Sequence, residues 1–313
     1  MRKVRLFYNP LSGRRRGRRL AEVEAAQAVL RSGGVEASIA PTEPGDAARE
    51  QVKQAIAEGC DTVFACGGDG TIHDLLQGLV GAEAALGIIP LGTANSLAHD
   101  LGLPLSPMNA AKAALQSGPR RIAVGKVSYL GFQKNQCSRY FTVTVGIGVD
   151  AHLFYKLNPT AKRRLGMAAY YVKATHLWLT HRMEHFAVEL VENGESRRAE
   201  VSQLLAVRIQ DFGGVLRELA PGASLERDDL RLVLFHTRSR AAYLGYITRG
   251  LLGTKWQIPG IELLHGSAVT CQTLGNASGS SRILVEADGE LLGTLPADIS
   301  VVPDAVTILT PRR

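Results

Sequence analysis

The chain has 313 residues, 45% of them apolar and 21% charged, and carries a formal net charge of +7. That length accommodates two hydrophobic cores, and the balance is that of an ordinary globular protein, which excludes a collagen-like or intrinsically disordered chain. No apolar run approaches the roughly 20 residues of a bilayer crossing, and Met1-Arg2-Lys3-Val4-Arg5 leads into a strand without a signal-peptide segment, so a cytoplasmic protein is expected. The basic excess favours acidic partners such as a nucleotide or an anionic lipid surface. Nucleic acid is not expected, because no recognition module or aromatic-interleaved basic patch accompanies the charge. Cys60, Cys66, Cys137 and Cys271 lack CxxC or His spacing, so reduced thiols are expected rather than disulfides or a zinc site.

Taken in chain order, residues 5–8 read as a strand, 18–31 as a helix stopped by Gly33-Gly34, 36–40 as a second strand and 46–58 as a helix opened by Asp46. Between the first strand and helix lies Asn9-Pro10-Leu11-Ser12-Gly13, followed by Arg14, Arg15, Arg16, Arg18 and Arg19. That cluster reads either as a solvated helix start or as a contact for phosphate or membrane. Residues 62–66 form a buried-strand run, and Ile72, Leu75, Leu76, Leu79 and Val80 recur on one helical face, so Gly67-Gly68-Asp69-Gly70-Thr71 sits at a helix N-terminus. There the unpaired N–H groups and the helix dipole favour an anion, and glycine lets the backbone approach it. Gly-Gly after a strand can also be no more than a tight turn. Residues 86–89 are the next strand; it runs into Pro90-Leu91-Gly92-Thr93-Ala94-Asn95-Ser96-Leu97-Ala98, where Asn95 or Ser96 can cap a helix ending at Gly102. Strand and helix alternate as in a parallel sheet covered on both faces, and right-handed crossovers put all three glycine-bearing loops on one edge, as a nucleotide cleft.

After about residue 120 the texture becomes β-rich. Strands are expected at 140–149, at 230–236, 268–273, 283–288 and 298–302, and as a pair within 185–210 joined by the hairpin signal Asn193-Gly194. Helices are expected at 160–179 and 240–252. In the first of these, Lys162, Arg163, Arg164, Met167, Tyr170, Tyr171 and Trp178 read either as an interfacial stripe or as a helix packed on its own domain. The fold class is therefore α/β: a Rossmann-like parallel-sheet domain over 1–122 and a mostly antiparallel, sandwich-like β domain over 123–304, with a strand in 305–313 returning to the first.

Four segments together carry a family resemblance. Asn9-Pro10-Leu11-Ser12-Gly13, Gly67-Gly68-Asp69-Gly70-Thr71, the segment from Pro90 to Ala98 and Asp288-Gly289-Glu290 resemble, in order, the NPxSG, GGDGT, PxGTxNxLA and DGE motifs of the diacylglycerol kinase catalytic superfamily, nearest to its bacterial YegS-like and soluble members. The resemblance implies an ATP-dependent lipid kinase acting with Mg²⁺ on a long-chain lipid hydroxyl at a membrane surface, peripheral to the inner membrane face; a homodimer is left open. It implies that Asn9, Pro10, Ser12, Gly13, Thr42, Gly67, Gly68, Asp69, Gly70, Thr71, Gly92, Thr93 and Asn95 line the nucleotide site. A carboxylate beside triphosphate requires an intervening cation, so Asp69 is assigned to the catalytic Mg²⁺. Glu290 is the expected general base, with Asp288 as a metal contact or orienting group; taken alone, Asp288-Gly289 between predicted strands also reads as a routine hairpin turn.

The segment from Ala220 to Leu230 resembles the family's PxAxxxDGxL, which implies a structural Mg²⁺ held by Asp228 and the carbonyls of Leu225 and Leu230, although Asp229 stands where glycine is usual. Ser96 replaces the commoner aspartate, and His73-Asp74 the commoner Asn-Glu. A serine cannot act as an anionic ligand. Two other readings follow: a soluble-substrate kinase of the NAD kinase or phosphofructokinase-like group, and a nucleotide- or lipid-binding protein with impaired turnover.

Overall fold

The computed structural model describes residues 1–10, 16–149, 183–192, 195–213, 219–252, 257–274 and 283–311. Leu11, Ser12, Gly13, Arg14 and Arg15, the helix expected at 160–179 and the dipeptide Asn193-Gly194 lie outside the described residues. The chain divides into two units. Among the described residues no helix is long and apolar enough to cross a membrane.

The first unit comprises Met1–Val124, Asp211–Gly213 and Pro303–Arg313. Its short apolar runs become β1 (Lys3–Tyr8), β2 (Glu36–Pro41), β3 (Thr62–Gly67) and β4 (Ala85–Pro90). They lie in the order β2-β1-β3-β4, followed by the last part of β15 (Glu290–Thr310), and every pairing is parallel. Every residue of β3 and β4 is buried, as a sheet covered on both faces requires. The connecting helices are α1 (Arg19–Ser32), α2 (Asp46–Ala57), α3 (Asp69–Leu79), a short α4 (Ser96–Asp100) and α5 (Pro107–Gln116). Val4, Leu6, Phe64 and Ile89 of the sheet meet Val23, Ala26 and Leu30 of α1 and Ala110 and Ala111 of α5 in one core. On α3 the apolar stripe Ile72, Leu75, Leu76 and Leu79 is fully buried, each side chain contributing about 1.5–3 kcal/mol. Val80 falls just beyond the helix in extended backbone.

The second unit, Gly125–Gln210 with Gly214–Val302, is antiparallel in every register described. Its elements are β5 (Gly118–Gly131, entering from the first unit), β6 (Gln136–Phe141), β7 (Thr144–Gly148), β8 (Phe186–Glu192), β9 (Glu195–Val201), β10 (Gln203–Val207), β11 (Leu230–Phe235), α6 (Arg240–Leu252), β12 (Ile261–Gly266), β13 (Ala268–Thr273), β14 (Leu284–Ala287) and most of β15. The path is β12-β11-β10-β7-β14-β15, with β13 joining β15 to β8 and β8 pairing with β9. Inward residues such as Phe141, Ile147, Phe186, Leu204, Leu232 and Val285 form its core. The α/β architecture with a β-sandwich-like second part is thus the one expected.

Four element expectations need correction. The strand expected over 140–149 is two strands, because the backbone N–H groups of Thr142, Val143 and Thr144 leave the ladder for a carboxylate. The pair expected in 185–210 is three strands, broken at Ser202, whose hydroxyl bonds the carbonyls of Phe235 and Thr237 and the Tyr243 hydroxyl. The strand at 298–302 and the returning strand are one continuous β15; it passes Asp304 with φ +48°, where Arg121 holds both the carbonyl and the carboxylate. Asp46 lies inside α2 rather than at its cap, which is Gly45. The sequence reading also passed over α5 and β12.

Candidate active site

The first unit gathers its motifs at the carboxyl ends of its strands. β1 is bonded to β2 on one side and β3 on the other, so strand order reverses there, and the crevice outside such a reversal is where open α/β sheets take their ligands. Asn9 follows β1 and donates its N–H to the Cys66 carbonyl at 3.4 Å, while Thr42, just past β2, donates to the Tyr8 carbonyl at 2.9 Å. Leu91, past β4, donates to the Gly67 carbonyl at 2.8 Å. Asn9, Pro10, Thr42, the Gly67 to Thr71 loop and the Gly92 to Asn95 turn therefore share one edge; Ser12 and Gly13 lie outside the described residues.

Glycine is required here for approach. A Cβ on Gly92 would lie 2.4 Å from the Gly68 Cα and 2.7 Å from Asn95 Oδ1, and one on Gly67 would lie 2.1 Å from Thr71 Oγ1. Two glycine backbones are thus in contact, a packing no larger residue permits. Asn95 does not cap α4 with its side chain. In the left-handed region at φ +53°, it accepts the Gly92 N–H at 2.8 Å on Oδ1 and donates to the Gly92 carbonyl at 3.2 Å, clasping its own turn. Asp69, half-buried, accepts the Leu97 N–H of α4 at 3.2 Å and so ties the second glycine loop to the third. Thr71 and Ile72 donate to the Gly68 carbonyl, and the peptide groups ahead of them stand at the positive end of α3. Thr93 is exposed and Ser96 buried. Burial pushes the Cys66 thiol far above its ordinary range, so it stays protonated and is no nucleophile. Of the basic cluster, Arg19 is buried and paired with Glu22 at 2.9 Å, a structural rather than ligand-facing role.

The same unit contains a contact that sequence reasoning missed. Asp211 donates its N–H to the Asp100 carboxylate at 2.9 Å, and Gly213 donates to Asp211 Oδ1 at 2.8 Å. Gly213 sits at φ +73°, where a Cβ would fall 2.2 Å from the His99 ring. The signal available was the Gly213-Gly214 pair itself. A cavity of about 480 Å³ touches Val35, Thr62, Ala85, Leu115, Thr307 and Leu309. It opens at the amino ends of β3 and β4, opposite the glycine loops.

In the second unit Asp288 and Gly289 form the two-residue turn between β14 and β15, with φ of +49° and +84° and Ala287 opposite Glu290. Both positive values are those of a type I′ hairpin. The buried Asp288 carboxylate accepts the N–H groups of Thr142 at 3.0 Å, Val143 at 2.9 Å and Thr144 at 3.0 Å, and its own N–H donates to the Thr144 carbonyl at 2.9 Å. Glu286 Oε2 accepts the Gly289 N–H at 3.0 Å. Glu290, at the end of this braced turn, is exposed.

At the second expected metal site Asp228 is exposed, and the Leu225 carbonyl accepts from Arg208 Nη2 at 3.4 Å. Asp229 is paired with Arg227 and His265, and the Arg227 guanidinium holds its carboxyl below the usual range. Among the described residues no three His, Cys, Asp or Glu side chains come together as a metal cluster. Asp69 is an oxygen donor beside the glycine loop at the N-terminus of α3, a donor type that fits a hard cation.

Two family models match in succession: the diacylglycerol kinase catalytic domain over residues 3–127 and the YegS C-terminal NAD kinase beta sandwich-like domain over 143–310. The chain is 28% identical to a diacylglycerol kinase of Bacillus subtilis (strain 168), covering 100% of this chain and 98% of that one. It is 29% identical to a diacylglycerol kinase of Mycobacterium tuberculosis (strain ATCC 25618 / H37Rv), covering 99% and 96%. Among solved structures, one described as a diacylglycerol kinase from Bacillus anthracis str. Sterne aligns with a TM-score of 0.69 at 20% identity over 98% of this chain and 96% of that one. Yeast NADH kinase shares the fold more distantly, with a TM-score of 0.50 at 11% identity over 100% and 84%.

Proposed function

Because this chain belongs to the diacylglycerol kinase catalytic superfamily and is a lipid kinase, we propose that it transfers the γ-phosphate of ATP to a hydroxyl of a diacylglycerol-like lipid presented at the cytoplasmic membrane face. The observation that carries this reading is the glycine-bearing edge of the first unit, where Gly68 and Gly92 bring the loops after β3 and β4 into backbone contact next to the β1–β3 reversal of strand order.

Phosphoryl transfer asks a protein mainly to hold phosphates, neutralise charge and aim a hydroxyl. In this reading the amide-rich start of α3 and the loops of Asn9, Thr42 and Gly92 hold the triphosphate. Asp69 is the residue that would hold Mg²⁺, which supplies charge neutralisation at the transferring phosphoryl when bound. Its link to the Leu97 N–H keeps the carboxylate aimed while the nucleotide enters. Glu290 accepts the proton of the acceptor hydroxyl as general base, and Asp288 fixes the turn that carries it. Ser96 adds no second carboxylate, so Asp69 provides the negative charge at this edge.

The test is incubation of the purified full chain with Mg-ATP labelled at the γ-phosphate and mixed lipid vesicles containing diacylglycerol. Label in the lipid is the expected result; label in a soluble metabolite instead would transfer the assignment to the NAD-kinase-like group. Nucleotide binding without any label would mean lost turnover. Glu290→Gln should lower turnover on the order of 10²–10⁴-fold with ATP affinity unchanged; undiminished turnover removes Glu290 as the base.

A further inference from the structure

The turn after residue 224 already contains a buried cation. Arg208 follows β10, where its N–H still donates to the Val143 carbonyl at 2.9 Å, and its side chain is 0% exposed. Nη1 donates to the carbonyl of Arg227 at 2.7 Å and to that of Asp229, and Nη2 donates to the carbonyl of Leu225. Three backbone carbonyls of one turn thus converge on one guanidinium. A charge can be buried only when hydrogen-bonded and countered, and here carbonyl dipoles supply the bonds while Asp228 and Asp229 supply negative potential.

The family resemblance puts Mg²⁺ at this turn, held by Asp228 with the carbonyls of Leu225 and Leu230. The residues present do not fit it. The Leu225 carbonyl is engaged by Arg208, Asp228 is exposed, and the Asp229 carboxylate is engaged by Arg227 at 2.7 Å and His265 at 3.3 Å. A divalent ion drawn to the buried Leu225 oxygen would stand beside a guanidinium that never deprotonates, and the two like charges would repel.

We propose that the Arg208 guanidinium is the resident cation of the 225–229 turn, replacing the divalent ion implied by resemblance, and that the second unit folds and persists without a metal. A tethered cation cannot dissociate, so the turn is uncoupled from Mg²⁺ concentration, whereas a metal-held turn loosens as the ion is withdrawn. Any Mg²⁺ requirement of the protein then belongs to the nucleotide. This inference does not rest on the proposed reaction, because its readout is melting temperature.

The experiment compares thermal melts of the full chain and of Asp228→Asn without nucleotide, in excess EDTA and in millimolar MgCl₂. The expected result is that Mg²⁺ raises the Tm of both proteins equally or of neither, so that Asp228 makes no difference to the increment. A Mg²⁺-dependent rise in the unmodified chain that Asp228→Asn abolishes would overturn the proposal. Arg208→Met should lower Tm by roughly 5 °C or more in either condition, since it orphans three carbonyls. A Tm for Arg208→Met equal to that of the unmodified chain would equally overturn it.

Discussion

The glycine edge of the first unit and the polar turns of the second use the same backbone groups to opposite ends. At the edge, glycines press Gly68 against Gly92 and the side chains that order the loops, Asn95 and Asp69, bond backbone from the flanks. In the second unit the polar groups are closed on one another: three amides converge on Asp288, and three carbonyls on Arg208. A motif residue's task is thus decided by where its bonds go. Asp69 and Asp288 are both acidic residues of glycine-containing motifs, yet Asp69 links two loops at the carboxyl edge of a parallel sheet while Asp288 pins a strand break inside a core.

Removing the Asp288 carboxylate should have the strongest consequence and tests that contrast directly. Asp288→Ala removes a carboxylate from three N–H groups, with Thr142 and Val143 buried, and should destabilise the protein by about 3–5 kcal/mol, read as the midpoint of denaturant unfolding. Glu290→Gln, two residues on and exposed, should leave that midpoint within about 0.5 kcal/mol. If Asp288→Ala unfolds like the unmodified chain and loses only turnover, Asp288 is chemical and the comparison breaks.

A smaller effect is expected at the glycine edge. Gly92→Ala drives a methyl into the Gly68 Cα, which is backbone and cannot rotate away, so the two loops must separate. The expected cost is about 1–3 kcal/mol of stability, with ATP affinity by calorimetry at least about tenfold weaker. Unchanged affinity would mean that the nucleotide does not depend on this contact.

How much of this was readable follows from the distance over which each feature is determined. The β1 to β4 strands and α1 to α3 were legible because a parallel sheet covered on both faces forces continuous apolar runs, and amphipathic helices repeat along their own sequence. The Asp288-Gly289 turn was legible too, being a dipeptide preference for positive φ. The break between β6 and β7 was not, since Tyr140-Phe141-Thr142-Val143-Thr144-Val145 is an unbroken run of strand-forming residues and the group that interrupts it lies 146 positions away. Nor was Arg208, an arginine at a strand end that reads as a surface charge until the 225–229 carbonyls fold over it. The motifs named the residues of the glycine edge; that Asn95 clasps Gly92 instead of capping α4 depended on its left-handed backbone, a conformation asparagine tolerates but which its equal aptitude for capping left undecided.

The smallest effect concerns a third closed polar cluster of the second unit. Glu262 on β12 receives both terminal nitrogens of Arg197 from β9, at 2.8 and 2.9 Å, and Nε2 of His236 at 2.9 Å. The Arg197 hydrogen bonds, then the His236 bond, hold its carboxyl below the ordinary 4.5, against the opposing effect of partial burial. A carboxylate whose folded pKa is depressed stabilises the protein above its unfolded pKa, and that contribution disappears as pH falls through the lower folded value. Glu262→Gln should therefore be less stable than the unmodified chain at neutral pH, by about 0.5 kcal/mol because the pair is only partly buried, and the two unfolding curves should converge below pH 4.5. A difference that persists unchanged in acid would assign the cluster's contribution to packing rather than charge. Since Arg197 and Glu262 join β9 to β12 at the surface, the small size of this effect against that of Asp288 measures what burial adds to the same kind of charge-assisted bond.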